Sequence, residues 1–486
     1  MPNLITVPGR VLAAPDVKYY GNKVSSPRFG SWNMIDIQFA TRAELKNWTY
    51  LWISSEESNN PWSNNMALKA SVDAFAARLR DVGINATNCI FPGMHITVDP
   101  INPDEDINKA IHRFTSTPGK TPPKLILVIY PGDTSIYSSV KNACDVKEGI
   151  LNVCVIASKF ARANSQYLAN VALKVNLKLG GRNQILDNSK LGILAGGKTM
   201  VVGIDVTHPA PGSSSSAPSV AAIVASVDQW LAQWPADLRV QTGRQEMVAD
   251  LTGLCKSRLR LWMAKHGHFP ENILVYRDGV SEGQYNLVLD EELPSIRKAC
   301  KELYSASSTK QGLPRITIII VGKRHHTRFY PTNKEDADRS SNSQNGTVVD
   351  RGVTEARNWD FFLQSHTAIQ GTACPAHYYI IYDEIFQAQK LAPPFTNAAD
   401  VVEDLTHNLC YLFGRATKAV SLCPPAYYAD LVCERARFYL GGLMDQSSLG
   451  TPGGSVVSGQ TGSSGQAVDP SRVKIHDNVK DSMFYI

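Results

Sequence analysis

Two short apolar runs of this chain each end in an aspartate. The run TMVVGID ends at Asp205, and the run NILVYRD ends at Asp278. Short runs rich in β-branched residues and bounded by Gly or Pro are typical of strands buried on both faces of a parallel sheet. Active sites of α/β folds gather where such strands end. The two runs therefore predict an α/β fold that brings both carboxylates to one edge of a sheet.

The chemistry of two adjacent carboxylates indicates a metal-dependent site. Two carboxylates side by side repel each other unless a proton or a cation neutralises them. Mg²⁺ and Mn²⁺ prefer hard oxygen ligands of this kind, so the pair favours metal-dependent phosphoryl transfer. A structural alternative stays open, because an aspartate after a strand is also ordinary turn chemistry. Taken alone, either aspartate is more often a turn residue.

Composition limits the classes of protein without choosing one. At 486 residues the chain is too long for one typical core, so at least two domains are expected. Lys and Arg exceed Asp and Glu by 49 to 44, which is too small a surplus to demonstrate nucleic-acid binding. Nine cysteines without a CxxC pair argue against a disulfide framework or a zinc finger. Cys144, Cys154, Cys255 and Cys300 are expected to be core residues.

The organisation along the chain suggests two α/β units. Residues 1–41 have little periodicity and are expected to be a linker packed on a neighbouring unit. Residues 42–181 and 182–486 each alternate apolar strands with amphipathic helices, which predicts sheets covered by helices. The polar stretch 331–345 and the Gly- and Ser-rich stretch 446–466 are expected to be mobile. No leader and no long apolar run is evident, so a cytoplasmic or nuclear protein without membrane association is expected.

One strand-to-helix turn in the first unit has the features of a phosphate site. After YPGDTS, the predicted helix presents Tyr137 and Lys141 on one face, four residues apart. Lys174 and Lys178 repeat this spacing on a second predicted helix. A helix start with a cation nearby favours an anion, because free N–H groups and the helix dipole point at it. Lysines at this spacing are more often solvated surface residues, so both interpretations stay open.

A series of motifs resembles the eukaryotic Argonaute family. GIDVTHP, RQE, YRDGVSEGQ, KRHHTR and AYYADLVCERAR occur in the order of that family's PIWI domain. VPGRVLAAPDVKY, YPGDTSIYSSVK and LKVNLKLGG resemble its second linker and its MID domain. The resemblance implies a Rossmann-like MID domain followed by an RNase H-like PIWI domain, and overall similarity favours a fungal, quelling-type member. The N-terminal and PAZ domains of full-length relatives are expected to be missing from this chain.

The resemblance implies a four-residue catalytic group. Its members are Asp205, Glu246, Asp278 and Asp430. By the same resemblance Asp205, Asp278 and Asp430 hold two Mg²⁺ or Mn²⁺ ions, which two-metal enzymes keep about 3.5 to 4 Å apart. Asp430 follows PPAYYA at a predicted helix start, where cleaving Argonautes have Asp or His.

Glu246 has two interpretations. The capping-box spacing of Thr242 and Gln245 makes Glu246 a first-turn acid that complements a helix dipole. The resemblance makes it the mobile glutamate that completes the catalytic site when a guide is bound.

The resemblance also assigns guide-binding residues. Tyr137 is expected to stack on the first guide base, while Lys141, Lys174, Lys178 and Arg435 hold the 5′ phosphate. Where the family commonly has a glutamine at this phosphate, the chain has Val153, and Asn152 is the candidate substitute.

Further guide contacts are expected along the backbone. The residues implied are Lys323, Arg324, Arg328, His366 and Gln370. The KRHHTR cluster could equally be a solvated strand end, and its histidine pair lacks zinc-ligand spacing. Cys374 stands where the family often has an arginine, so one backbone contact is expected to be missing.

These assignments predict a guide-directed endoribonuclease acting in RNA silencing. The expected partners are a small guide RNA with a 5′ phosphate, complementary target RNA and silencing-complex proteins. Cleavage by the isolated lobe is expected to be weak. Two alternatives stay open: a guide-binding module that silences through partner recruitment without cleavage, and a guide-independent RNase H-like nuclease. Asp133, in the turn facing the first base, leaves the preference for a 5′ uridine open.

Overall fold

The computed structural model describes residues 4–56, 59–99, 101–213, 217–310, 312–440 and 473–486. The stretch 446–466, for which mobility was predicted, lies outside these residues. In the described part of the chain, no helix has the length and apolar character needed to cross a membrane.

Eighteen strands are found in the described residues. In chain order they are β1 (Arg10–Val11), β2 (Val17–Lys18), β3 (Val24–Ser25), β4 (Glu44–Leu45), β5 (Trp48–Ser54), β6 (Asn85–Ala86), β7 (Met94–Thr97), β8 (Leu125–Tyr130), β9 (Leu151–Ile156), β10 (Ile185–Leu186), β11 (Thr199–Thr207), β12 (Ser219–Ala225), β13 (Ala236–Gln241), β14 (Asn272–Asp278), β15 (Arg315–Gly322), β16 (Thr347–Val349), β17 (Trp359–Gln364) and β18 (Ala376–Asp383).

Ten α-helices accompany them within the described residues. They are α1 (Asn65–Asp81), α2 (Asp104–Ser116), α3 (Thr134–Lys141), α4 (Ala157–Phe160), α5 (Ser165–Lys178), α6 (Leu251–His266), α7 (Tyr285–Leu287), α8 (Leu293–Leu303), α9 (Ala398–Leu409) and α10 (Pro424–Leu440). Two π-helical turns, Asn142–Lys147 and Val288–Glu292, follow α3 and precede α8.

The first unit is built on a parallel sheet with the strand order β7-β5-β8-β9. Alternate residues of β8 point to opposite faces. Leu125, Leu127 and Ile129 pack in one core with α1 and α5, while Ile126 and Val128 pack in another with α2 and α3. The predicted sheet with helices on both faces is confirmed.

The second unit is built on a nine-stranded mixed sheet with the order β1-β16-β17-β18-β15-β14-β11-β12-β13. Its central strands β11, β14 and β15 are parallel, and the register pairs Ile204 with Arg277. Asp205 and Asp278 are the next residues on these two strands, so they lie side by side where the β11–β14 pairing ends. Asp278 is the last residue of β14, whereas β11 continues to Thr207 and pairs Asp205 with Ala222 of β12, so the prediction that this strand ends at Asp205 is wrong by two residues. Helices α9 and α10 cover one face, and α6 and α8 cover the other. This sheet is the RNase H-like part of the predicted fold.

A glycine lets α10 approach the centre of this sheet. A Cβ atom at Gly203, in β11, would lie 1.9 Å from the carbonyl oxygen of Pro425, in the first turn of α10. Only a residue without a side chain fits this contact. The close approach brings the following turns of α10 over the strand that carries Asp205.

The N-terminal segment packs on the second unit as a linker should. Strand β1 pairs with β16 at the edge of the nine-stranded sheet, with Arg10 opposite Val348. Arg10 also forms ion pairs with Asp350, Asp400 and Glu403. These contacts fix the segment to the sheet edge.

The polar stretch 331–345 differs from its prediction. Asp338 and Asn342 are buried in it, and Asp338 Oδ1 accepts hydrogen bonds from the N–H groups of Ser340 and Asn342 at 2.8 and 2.9 Å. Asn342 Nδ2 donates to the carbonyl oxygen of Gly371 at 3.0 Å. Polar side chains here satisfy the backbone of the loop itself, so order does not require a large apolar surface.

Candidate functional site

Three acidic side chains meet beside the turn that follows β14. Asp278 Oδ1 accepts a hydrogen bond from the N–H of Gly279 at 2.7 Å. A Cβ atom on Gly279, whose φ is +86°, would lie 3.4 Å from Asp205 Oδ1 and 3.6 Å from Glu246 Oε1. The structure therefore brings together Asp205, Glu246 and Asp278, which are far apart in sequence.

Asp430 is the fourth acid of this cluster. It lies in the second turn of α10, which begins at Pro424, and not at the helix start that the sequence predicted. Burial raises the pKa of Asp430 to about 7, together with the charges of Asp205 and Glu434, against the opposing charge of Arg324. These interactions place Asp430 within electrostatic range of Asp205.

Acids of the cluster destabilise the ionised forms of neighbouring aspartates, which raises the pKa values of these aspartates. Burial, with the charges of Asp205 and Asp430, raises the pKa of Asp278 to about 8. Burial also raises the pKa of Asp205, to which the charge of Glu246 adds, while Arg277 and the Val206 N–H oppose it. Because several ionised carboxylates repel one another here, a bound cation would stabilise their charged forms.

Glu246 lies in a loop and not in a helix. Helix α6 begins at Leu251, with Asp250 Oδ1 accepting from the Gly253 N–H at 3.0 Å, so the predicted capping box at Thr242 and Gln245 is wrong. The reason is Gln241, whose amide donates to the carbonyl oxygens of Gln245 and Met247 and holds the backbone in a compact loop.

Two side chains hold the carboxylate of Glu246. Its Oε2 lies 2.8 Å from His208 Nε2, and its Oε1 lies 3.0 Å from Arg277 Nη2. Arg277 Nη2 also donates to the Glu246 carbonyl oxygen at 2.7 Å. Both oxygens of the Glu246 carboxylate are therefore bound beside Asp205, and the mobility of this residue stays a prediction.

The donor set of the cluster suits a hard divalent cation. Carboxylate oxygens are the ligands that Mg²⁺ and Mn²⁺ prefer. In the described part of the chain, no three His, Cys, Asp or Glu side chains stand in the arrangement of a preformed metal site.

A basic cavity of about 350 Å³ lies between the two units. Tyr137, Lys141 and Lys174 line it from the first unit, and Arg415 and Arg435 line it from the second. The structure thus brings four of the five predicted phosphate residues to one cavity.

Lys178, the fifth predicted phosphate residue, turns away from this cavity. Its ammonium donates to the carbonyl oxygen of Phe484 and is completely enclosed. Burial, with the charges of Lys141 and Arg435, lowers its pKa well below the ordinary value. Phe484 belongs to the buried C-terminal residues 483–486.

Asn152 does not line the cavity, contrary to its predicted role as a substitute ligand. It is completely buried, accepts a hydrogen bond from Lys141 Nζ and donates to Asp145 Oδ1 at 3.0 Å. Val153 lines the cavity in its place with an apolar side chain. Asn152 therefore positions Lys141 and makes no contact with a ligand itself.

Asp145 is a residue that the sequence reasoning missed. Its Oδ2 accepts from Arg435 Nη1 at 3.0 Å and from the Tyr439 hydroxyl at 2.7 Å. Arg435 Nη2 in turn donates to the Tyr137 hydroxyl at 3.1 Å. The available signal was the position of Asp145 four residues after Lys141, on the same helical face.

The predicted backbone-contact residues divide into different environments. Lys323 bonds to Ser421, and its pKa is lowered by burial, against the opposing charges of Cys374 and Asp278. Burial, with Lys323 and Lys418, lowers the pKa of His366 to about 4, so this histidine is neutral at pH 7.

The other three residues predicted to contact the guide backbone are more exposed, or they donate hydrogen bonds to carbonyl oxygens of the protein backbone. Arg328 donates to the carbonyl oxygens of His325 and Thr327. Gln370 is exposed, and Arg324 lies near Asp430. Lys323, Arg324 and His366 are thus close to the acids or to one another.

Comparison with known proteins gives the family. The Piwi domain profile matches residues 125–440. The rice protein argonaute MEL1 is 39% identical over 521 residues, covering 99% of this chain and 46% of the relative. The Arabidopsis protein argonaute 5 is 36% identical and covers 99% of this chain and 47% of the relative. The chain therefore spans about half the length of these curated relatives.

Solved structures agree with the sequence comparison. The C-terminal lobe of a budding yeast Argonaute matches with a TM-score of 0.81 and 28% identity, over 99% of this chain and 95% of that one. Kluyveromyces polysporus Argonaute with a guide RNA matches with a TM-score of 0.81 and 29% identity, over 100% of this chain and 57% of that one. The chain belongs to the eukaryotic Argonaute family, and its two α/β units are the MID–PIWI lobe.

Proposed function

We propose that this chain acts in small-RNA-guided silencing, binding the 5′ phosphate of a guide RNA in the basic cavity and cleaving complementary RNA at the acidic cluster. The observation that carries the proposal is helix α10, which supplies Asp430 to the cluster and Arg435 to the cavity. One rigid helix thus fixes the cleavage site relative to the guide anchor. A nuclease that cuts at a set distance from a guide end needs a fixed separation between its two sites, and a shared helix provides one.

The cavity supports recognition of a terminal phosphate. Lys141, Lys174 and Arg435 supply cations to the cavity wall, and charge-assisted hydrogen bonds from such groups to a phosphate are stronger than neutral ones. The Tyr137 ring lies beside them, with Lys141 Nζ 5.2 Å from its centroid, and offers a face for the first base. Sequence would be read by base pairing with the guide, so the protein needs only phosphate and stacking contacts.

The acidic cluster supports phosphodiester cleavage with metal ions. Asp205, Asp278 and Asp430 would hold two Mg²⁺ or Mn²⁺ ions, which when bound supply an activated water and stabilise the leaving oxygen. Glu246, held by His208 and Arg277, adds a fourth carboxylate beside Asp205. The raised pKa values of Asp278 and Asp430 mean that metal binding displaces protons from the cluster.

The test compares the chain with its Asp278→Ala variant. Each is incubated with a 5′-phosphorylated guide, labelled complementary RNA and Mg²⁺, and both cleavage and guide affinity are measured. The proposal expects cleavage by the parent chain, none by Asp278→Ala, and equal guide affinity. Cleavage that persists in the variant would remove Asp278 from the mechanism. Guide binding without cleavage by either protein would favour the silencing module that acts through partners.

A further inference from the structure

Arg277 is a completely buried guanidinium shared between two carboxylates. Its Nη2 lies 3.0 Å from Glu246 Oε1, on the side of the acidic cluster. On the other side, Nε lies 3.0 Å from Glu292 Oε2, and Nη2 lies 3.1 Å from Glu292 Oε1. Burial alone lowers the pKa of Arg277, but the charges of Glu292 and Glu246 more than offset it, so the guanidinium stays charged.

Glu292 also holds the loop that carries Glu246. Its Oε1 accepts a hydrogen bond from the backbone N–H of Val248, two residues after Glu246, at 3.2 Å. Glu292 is 2% exposed and ends the π-helical turn Val288–Glu292. Such turns are rare and are frequently found at functional sites. One carboxylate therefore fixes both the partner of Glu246 and the backbone beside it.

We propose that Glu292 is a positioning residue for the cleavage reaction, which keeps Glu246 beside Asp205 by orienting Arg277 and by anchoring Val248. The proposal rests on the cleavage function proposed above. Glu292 touches neither substrate nor metal in this role. It acts through Glu246.

The geometry of the bidentate pair explains why a carboxylate is needed at this position. Both oxygens of Glu292 accept from the same guanidinium, which locks the plane of Arg277. A glutamine has the same shape but offers one acceptor and one donor group, and an N–H donor facing the guanidinium is repelled. Arg277 would then rotate, and Glu246 would lose one of the two groups that hold its carboxylate.

The experiment measures single-turnover cleavage by Glu292→Gln. The rate is expected to fall roughly 10- to 100-fold, as when groups that orient metal-site residues are removed, while guide affinity stays unchanged. Glu403→Gln is the matched control: Glu403 is 1% exposed and pairs with Arg10 in strand β1, at the far edge of the sheet. The control is expected to cleave at the parent rate. Unchanged cleavage by Glu292→Gln overturns the proposal.

A double-mutant cycle separates positioning from a general structural defect. In the Glu246→Gln background, Glu292→Gln should lower the residual rate by less than about threefold, because both changes remove the same function. If Glu292→Gln has its full effect in that background, it does not act through Glu246 and the proposal fails.

Hydrogen exchange tests the proposal even if the parent chain does not cleave. In Glu292→Gln the amides of residues 242–250 should exchange at least about tenfold faster, with the strands of the sheet unchanged. If the parent chain does not cleave, faster exchange confined to this loop supports the positioning role of Glu292. Unchanged exchange in the loop, or faster exchange throughout the sheet, overturns it.

Discussion

Arg435 Nη1 donates a hydrogen bond to Asp145 Oδ2 across 3.0 Å, and both side chains are buried between the two units. The bond joins α10 of the PIWI unit to the π-helical turn after α3 of the MID unit. Asn152 extends it by linking Asp145 to Lys141. Two cations of the basic cavity, Arg435 directly and Lys141 through Asn152, thus depend on one acid for their positions.

Asp145→Asn should therefore destabilise the chain. Removing one partner of a buried ion pair leaves the other charge uncompensated, so the free energy of unfolding should fall by about 3 kcal/mol. Urea unfolding followed by circular dichroism measures the change. Asp73→Asn, which breaks an exposed ion pair with Lys69, is the control and should leave the midpoint unchanged. Equal midpoints for the two variants would mean that the Asp145–Arg435 pair does not stabilise the lobe.

Lys141→Ala should affect phosphorylated guides selectively. Lys141 supplies a cation to the cavity, so its loss should lower affinity for a 5′-phosphorylated guide roughly tenfold or more, and for a 5′-hydroxyl guide far less. Filter binding with both guides gives the ratio. Lys109→Ala, which removes an exposed lysine paired with Glu105, should leave the ratio unchanged. Equal losses for both guides at Lys141→Ala would place the phosphate elsewhere.

The affinity for a phosphorylated guide should also depend on pH through Lys174. Burial, with the charges of Arg415 and Lys141, lowers the pKa of this ammonium to about 8. A phosphate binds the protonated form better, so binding takes up a proton when Lys174 is neutral. Affinity should therefore be level below the pKa and fall as pH rises through about 8.

Lys174→Met is the variant that tests this source of the pH dependence. It lacks a titrating group, so its affinity should be lower than that of the parent at neutral pH but flatter between pH values of about 7 and 9. Isothermal titration in two buffers of different ionisation enthalpy would detect the proton uptake directly. The same slope in parent and variant would assign the pH dependence to another group.

The parts of the site that the sequence predicts correctly are those whose positions depend on the pattern of apolar residues in neighbouring strands. Asp205 and Asp278 lie at or near the ends of neighbouring buried parallel strands, and their meeting at one edge of the sheet follows from that alone. Glu246 did not follow, because Gln241 holds its loop through side-chain bonds that spacing does not reveal. The side chain of Gln241 thus overrides the capping signal of Thr242 and Gln245 by bonding to the backbone of the same short segment.

The two lysines of α5 show the same limit. Lys174 and Lys178 lie four residues apart on one face of α5, so the sequence predicts the same role for both, yet only Lys174 lines the cavity. Lys178 is bound by the carbonyl oxygen of Phe484, which is distant in sequence. The side-chain amide of Asn152 likewise makes its hydrogen bonds to Lys141 and Asp145, which the sequence does not reveal. Sequence periodicity predicts which face of a helix a side chain lies on, but only the folded structure shows which group that side chain contacts.

Gly203→Ala should separate α10 from the sheet. The added methyl group would lie 1.9 Å from the carbonyl oxygen of Pro425, a backbone atom that cannot rotate aside. Overpacking of this kind costs about 3 kcal/mol, and the required shift of α10 moves Asp430 away from Asp205. Both the unfolding midpoint and the rate of target cleavage should therefore fall.

Gly196→Ala is the control for this change, since a Cβ atom there meets nothing within 4 Å. It should leave the unfolding midpoint and the cleavage rate at parent values. Guide affinity is a second measurement, because α10 also carries Arg435 into the basic cavity and its shift should weaken guide binding. A Gly203→Ala chain that unfolds, cleaves and binds guide like the parent would show that α10 does not depend on this contact to hold the two sites in place.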